Sequence, residues 1–132
     1  MNGLDTNVLV RYLVQDDPVQ AEQATQLLER AAACGDKLFL SCIVLCELVW
    51  VLEDCYDATR QELVEILEKT LQTRQIEIEH KACARAALAD FRAHRKADFS
   101  DCLVGRVNQA LGCRSTYSFD KGPKNLPTFS SL

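Results

Sequence analysis

The sequence predicts an α/β domain built on a mostly parallel sheet, and three observations carry that expectation. Short apolar stretches alternate with longer segments whose apolar residues recur at helical spacing. Helix-start signals recur at Asp17-Pro18, at Ser41 and at Thr59-Arg60-Gln61-Glu62. No internal repeat, low-complexity tract or linker interrupts the 132 residues, so a single domain over 1–132 is expected.

Met1 to Leu4 reads as a short strand, and Val8 to Leu13 after it as a short helix. Asp17 caps a second helix with Pro18 at its first position. Its inward face carries Ala21, Ala24, Leu27, Leu28 and Ala31, and Gly35 ends it. Residues 37–41 form a second strand, and Ser41 caps a strongly apolar helix from Ile43 to about Tyr56. Thr59 and Glu62 have capping-box spacing and open a fourth helix with Leu63, Ile66, Leu67 and Leu71 inward. Residues 75–79 alternate like a half-exposed strand. A fifth helix carries Ala84, Ala87, Leu88 and Phe91. A sixth starts at Asp98 and runs through Leu103, Val104, Val107 and Leu111 to Gly112. A strand over 114–118 leads to Asp120, and residues 127–129 offer a weaker edge strand because Pro127 lacks an N–H.

Composition narrows the function classes. Hydrophobic residues make up 48% and charged residues 26%, as in a soluble globular domain, and no apolar run approaches the ~20 residues of a membrane span. The N-terminus lacks the pattern of a signal peptide, so a cytoplasmic location is expected, with no membrane partner. Seven cysteines without a C-x-x-C pair, and only His80 and His94, argue against disulfides and zinc, and read as small buried hydrophobes. A net charge of −4 argues against broad attraction to phosphates. A local basic rim remains available in Arg92, His94, Arg95, Lys96, Arg114, Lys121 and Lys124, with Arg95 and Lys96 as candidate substrate contacts; the alternative is a solvated helix end.

The acids carry the chemistry. Asp5 follows the first strand, Glu47 lies on the helix after the second, Asp98 and Asp101 open a helix, and Asp120 follows a late strand. These places face the carboxyl edge of a parallel sheet, where such folds bind ligands. Each acid has a structural alternative: Asp5 as a cap, Asp120 as a turn residue, Asp98 and Asp101 as a capping box. Glu47 is the hardest to explain that way, because Val44, Leu45, Leu48, Val49, Trp50, Val51 and Leu52 imply a buried helix, where an unpaired carboxylate is costly. Two anions ~4 Å apart repel by roughly 4 kcal/mol at an effective dielectric near 20, so a cluster calls for a cation. Oxygen ligands suit Mg²⁺ or Mn²⁺, which in such a site activates water against a phosphodiester. Rival chemistries fail at named residues: Asp5-Thr6-Asn7 is not Asp-x-Asp, the strand at 75–79 ends only in Glu79, and no glycine-rich phosphate loop exists.

Four segments in order, Gly3-Leu4-Asp5-Thr6-Asn7-Val8-Leu9, Ser41 through Glu47-Leu48, Ala97-Asp98-Phe99-Ser100-Asp101-Cys102-Leu103 and Thr116-Tyr117-Ser118-Phe119-Asp120-Lys121, resemble the PIN-domain family, specifically the VapC-type ribonuclease toxins of bacterial toxin-antitoxin systems. The resemblance covers essentially the whole chain. It implies a three-layer α/β/α sandwich and a Mg²⁺- or Mn²⁺-dependent endoribonuclease cutting RNA phosphodiesters. Asp5 and Asp101 would be direct ligands, Asp120 a supporting ligand, Glu47 the residue orienting the attacking water, and Asp98 an extra acid able to assist. Thr6 and Asn7 match positions that hydrogen-bond the first acid or the substrate, and Ser118 stands where the family often has Thr. The resemblance also implies a homodimer, with the helices over 43–71 as a candidate face. A small DNA-binding antitoxin is implied too, whose inserted Arg would suit the acids. The alternative is a non-catalytic PIN-like module that binds RNA or protein without turnover.

Overall fold

A computed structural model describes residues 1–132, which divide into two compact units, Met1–Glu79 and His80–Leu132. The first unit runs β1 (Asn2–Gly3), α1 (Thr6–Val14), α2 (Pro18–Cys34), β2 (Leu38–Leu40), α3 (Cys42–Tyr56), α4 (Arg60–Gln72) and β3 (Ile76–Ile78). β2 is central and parallel to both neighbours, with Gly3 opposite Phe39 and Leu40 opposite Ile78. The Leu4 N–H donates to the Phe39 carbonyl at 2.8 Å, which extends the pairing to the residue before Asp5. β3 alternates as its sequence implies, with Ile76 and Ile78 buried and Glu77 exposed.

The helix boundaries follow local chemistry. Asp17 Oδ1 accepts from the Gln20 N–H at 3.0 Å, with Pro18 where its missing donor is harmless. Ser41 Oγ accepts from the Val44 N–H at 3.2 Å, and Thr59 and Glu62 complete a reciprocal capping box. α3 departs from expectation. Only the stripe Leu45, Leu48, Val49 and Leu52 is buried; Ile43 and Trp50 are 71% and 66% exposed. Ile43, Glu47 and Trp50 are spaced i, i+4, i+7, so they share the opposite stripe, and Glu47 is solvent-exposed rather than buried. An apolar sequence all round a helix does not by itself bury every face.

The second unit runs α5 (Lys81–Ala93), α6 (Phe99–Ala110), β4 (Thr116–Ser118), a 3₁₀ turn at Gly122–Asn125 and β5 (Phe129–Ser131). α5 and α6 pack together through Phe91 and Phe99, edge to face with ring centroids 5.9 Å apart. β4 and β5 pair in parallel, Thr116 opposite Phe129. The last strand thus begins two residues after Pro127, where N–H donors return. The α/β class and the parallel pairing are as the sequence predicts, but the strands lie in two sheets, one of three and one of two. Val104 and Leu111, placed on the sixth helix by apolar pattern, are 47% and 72% exposed. The seven cysteines are free thiols. Only Cys102 is fully buried, and Cys34, Cys55 and Cys113 are exposed, so a small-hydrophobe role fits the first but not the other three.

Gly105 lets α6 lie against the chain entering β5. A Cβ there would collide with Thr128 Oγ1 and sit 2.9 Å from Phe129 Cε2. Gly105→Ala is therefore expected to destabilise the protein by about 1–3 kcal/mol, the usual range for overpacking. Urea unfolding checks this; a loss below about 0.5 kcal/mol would show that the helix simply shifts aside.

Candidate functional site

In the first unit the parallel pairing of β1 and β2 brings their carboxyl ends to the same edge, and the helices that follow start there. Asp5 is the N-cap of α1, its Oδ1 accepting the Thr6 N–H at 2.9 Å. The cap reading is thus correct for one oxygen, and the residue remains exposed. Thr6 is buried, and its hydroxyl donates to Glu47 Oε2 at 2.6 Å. Thr6 therefore serves both acids, its backbone N–H bonding Asp5 and its hydroxyl Glu47. This short bond gives an otherwise exposed carboxylate a fixed orientation. Glu79, at the end of β3, accepts the Cys42 N–H through Oε1 at 2.9 Å and so pins the start of α3. Sequence reading did not single it out; its signal is an acid ending a strand that alternates beside the Ser41 edge. Asn7 is exposed in the first turn of α1.

In the second unit, Asp98, Asp101 and Asp120 form an interacting group. Burial, and then the charges of Asp98 and Asp120, hold the Asp101 carboxyl above its ordinary range, against an Asp98 backbone N–H that favours the anion. That N–H bond is half of the expected capping box. The other half is missing: Asp98 occupies the N-cap position of α6, but its side chain makes no cap hydrogen bond. The strongest structural explanation for an acid at this position therefore fails. Asp120 is delivered by a tight approach. A Cβ at Gly122 would meet the Lys96 carbonyl oxygen at 2.8 Å, so only glycine lets the loop after Asp120 lie against the turn before Asp98. Ser118 Oγ accepts the Asp120 N–H at 3.0 Å, orienting the loop from within. Arg95 and Lys96 are exposed in the turn between α5 and α6.

The family model for the PIN domain matches residues 4–128. The chain belongs to the PIN-domain family. A VapC ribonuclease of Aquifex aeolicus (strain VF5) is similar to it, 31% identical over 126 residues that cover 96% of this chain and 92% of that protein. No solved structure matches it. The ten sequence-predicted residues of this PIN domain thus fall into two local groups, Asp5, Thr6, Asn7 and Glu47 in one unit and Arg95, Lys96, Asp98, Asp101, Ser118 and Asp120 in the other.

No three His, Cys, Asp or Glu side chains are gathered within reach of a single ion. The donor chemistry nevertheless suits a hard divalent cation. The acids are all carboxylates, and the groups acting on Asp101 are two anions and a backbone N–H, with no cationic side chain to offset them. Such a trio is electrostatically incomplete, and a cation lowers its free energy more than it would that of isolated acids.

Proposed function

We propose that this PIN domain is a metal-dependent endoribonuclease that hydrolyses RNA phosphodiesters and acts as the toxin of a toxin-antitoxin pair. What carries the reading is the similarity to a VapC ribonuclease over nearly the whole chain. The uncompensated acids around Asp101 support it. In this reading residues 1–132 work as one domain, consistent with a family match that spans both units.

Asp5, Asp101 and Asp120 would hold Mg²⁺ or Mn²⁺, with Asp98 assisting. The bound cation supplies a more acidic water and a countercharge for the phosphate. Glu47 would orient the attacking water, its carboxylate aimed by the Thr6 hydroxyl. Ser118 keeps the Asp120 loop in place through the Asp120 N–H. Arg95 and Lys96, both exposed, would contact the RNA backbone, and the exposed Asn7 would contact the substrate beside Asp5.

A homodimer is what the resemblance implies, with the helices over 43–71 as its candidate face. An antitoxin with a DNA-binding segment would be the second protein partner, its cationic side chains complementing the acids. No helix is long and apolar enough to cross a membrane. An RNA substrate and a DNA-binding partner are consistent with work in the cytoplasm.

The test is incubation of purified protein with total RNA in Mg²⁺, Mn²⁺ or EDTA, with mapped ends. Cleavage that requires the divalent ion is expected, together with a rise in melting temperature. At a metal concentration 100-fold above Kd the stabilisation is about 2.7 kcal/mol. RNA binding without cleavage under any of these conditions would favour the non-catalytic module instead.

A further inference from the structure

α1 and α2 of the first unit flank an open cleft of about 360 Å³, lined among others by Asn7, Val8, Gln23, Ala24, Leu27 and Arg30. The volume lies in the range of pockets that bury a small ligand, roughly 300–1,000 Å³. Its walls are of two kinds. Val8, Ala24 and Leu27 offer an apolar surface, and Asn7, Gln23 and Arg30 bring polar groups engaged in no hydrogen bond or ion pair. Arg11 is held still: its Nε donates to Gln20 Oε1 at 2.7 Å, and its Nη1 to Asp16 Oδ1 at 3.3 Å and to the Tyr56 hydroxyl at 3.1 Å. Tyr56 in turn donates to Asp16 Oδ2 at 2.7 Å. One wall is therefore preorganised and the other carries unused recognition groups.

The position is as informative as the lining. Asp5 caps α1, and Asn7, Val8 and Arg11 follow it along the same helix. At 1.5 Å per residue those side chains leave the axis roughly 3 to 9 Å beyond Asp5, the scale of a step to a neighbouring nucleotide. Primary-amide side chains both donate and accept, which suits a base edge, and a free guanidinium suits a phosphate or a base face.

We propose that the α1–α2 cleft binds one nucleoside of single-stranded RNA next to the phosphate at Asp5. The base lies against Val8, Ala24 and Leu27, its edge is read by Gln23 and Asn7, and its phosphate is met by Arg30. This rests on the ribonuclease reading above and adds a specificity subsite to it. An unpaired base is required, because the base edge that Gln23 and Asn7 would read is already paired in a duplex.

The experiment measures binding of labelled single-stranded oligoribonucleotides of mixed sequence by fluorescence anisotropy in EDTA, where cleavage does not compete. Gln23 and Arg30 are exposed, so Gln23→Ala and Arg30→Ala should fold normally, which thermal melts verify. Each is expected to raise Kd roughly 5- to 10-fold, at the low end of single-base contributions. Arg30→Ala should also flatten the salt dependence by about 0.7 in log–log slope. In Mg²⁺, Gln23→Ala should change the mapped cleavage preference.

Unchanged binding and unchanged preference in both folded variants overturn the subsite. If the wild type still cleaves RNA, the ribonuclease reading stands without it. Weaker binding in the variants with no cleavage by wild type keeps the subsite and removes the catalytic reading. Unchanged RNA binding combined with lost affinity for a protein partner assigns the cleft to that partner and overturns the subsite. A wild type that does not bind RNA overturns the subsite, while mapped cleavage in Mg²⁺ decides the ribonuclease reading separately.

Discussion

Asp101→Asn is expected to lower RNA cleavage by at least about 100-fold, the scale of losing one charge-stabilising group in a hydrolytic site, and to raise the melting temperature of the metal-free protein. The two effects share one cause. Asp101 is pushed toward its protonated form by burial and by Asp98 and Asp120, so its anion is disfavoured in the fold relative to the unfolded chain. An asparagine keeps an acceptor for the Asp98 N–H and removes the repulsion. Because the site is partly open to solvent, the gain stays below about 1 kcal/mol, or up to about 3 °C for a chain of this size.

The pH dependence has a definite sign. A carboxyl whose folded pKa lies above its unfolded value destabilises the fold once both states are ionised, and that cost fades as pH falls through the folded pKa toward the ordinary 3.8. The advantage of Asp101→Asn should therefore be full at neutral pH and vanish in acid. Saturating Mg²⁺ should reverse the order, stabilising the wild type above the variant. Full cleavage by a folded Asp101→Asn protein would sink the assignment of Asp101. Equal melting temperatures at neutral pH without metal would show that the acids do not press on one another.

Much of this was legible because it is local. Asp17-Pro18, Ser41, and Thr59 with Glu62 announce helix starts, since the chemistry that ends a helix is carried within four residues. The acids of the candidate site were legible from their recurrence at strand ends and helix starts. Faces were harder. The apolar run from Val44 to Leu52 reads as buried all round, yet Trp50 and Ile43 face solvent beside Glu47, because burial depends on what packs against each stripe. The reasoning that a buried acid in an apolar helix demands a partner was sound but attached to the wrong residue. It holds for Asp90 on α5, 6% exposed among Ala87, Leu88 and Phe91. Its partner, Arg106, is sixteen residues away on another helix, and no local spacing rule reaches that far. Gly122 was likewise readable as a turn, whereas its close approach to the Lys96 carbonyl depends on the folded loop.

The Asp90–Arg106 pair yields the largest stability effect expected away from the acids. Arg106 Nε meets Asp90 Oδ2 at 2.7 Å and Nη2 meets Oδ1 at 2.8 Å, a bidentate fork that ties α6 to α5. The carboxylate side chain is 8% exposed and the arginine side chain 25%. Asp90→Ala removes the anion and leaves a largely enclosed guanidinium with only Gln109 Oε1, bonded through Nη1 at 3.1 Å. Breaking a buried pair from one side costs about 3–5 kcal/mol, and the partial exposure of Arg106 puts this case near 3, roughly 10 °C in melting temperature. Asp90→Asn, which retains one acceptor, should lose less. Replacing both partners together, Asp90→Leu with Arg106→Met, should recover most of the loss, because the desolvation of both charges disappears with their attraction. Urea unfolding of the three variants separates these terms. A single Asp90→Ala loss within about 0.5 kcal/mol of zero, or a double variant no better than the single, would mean that the fork contributes little and that the helices are held by Phe91 and Phe99 instead.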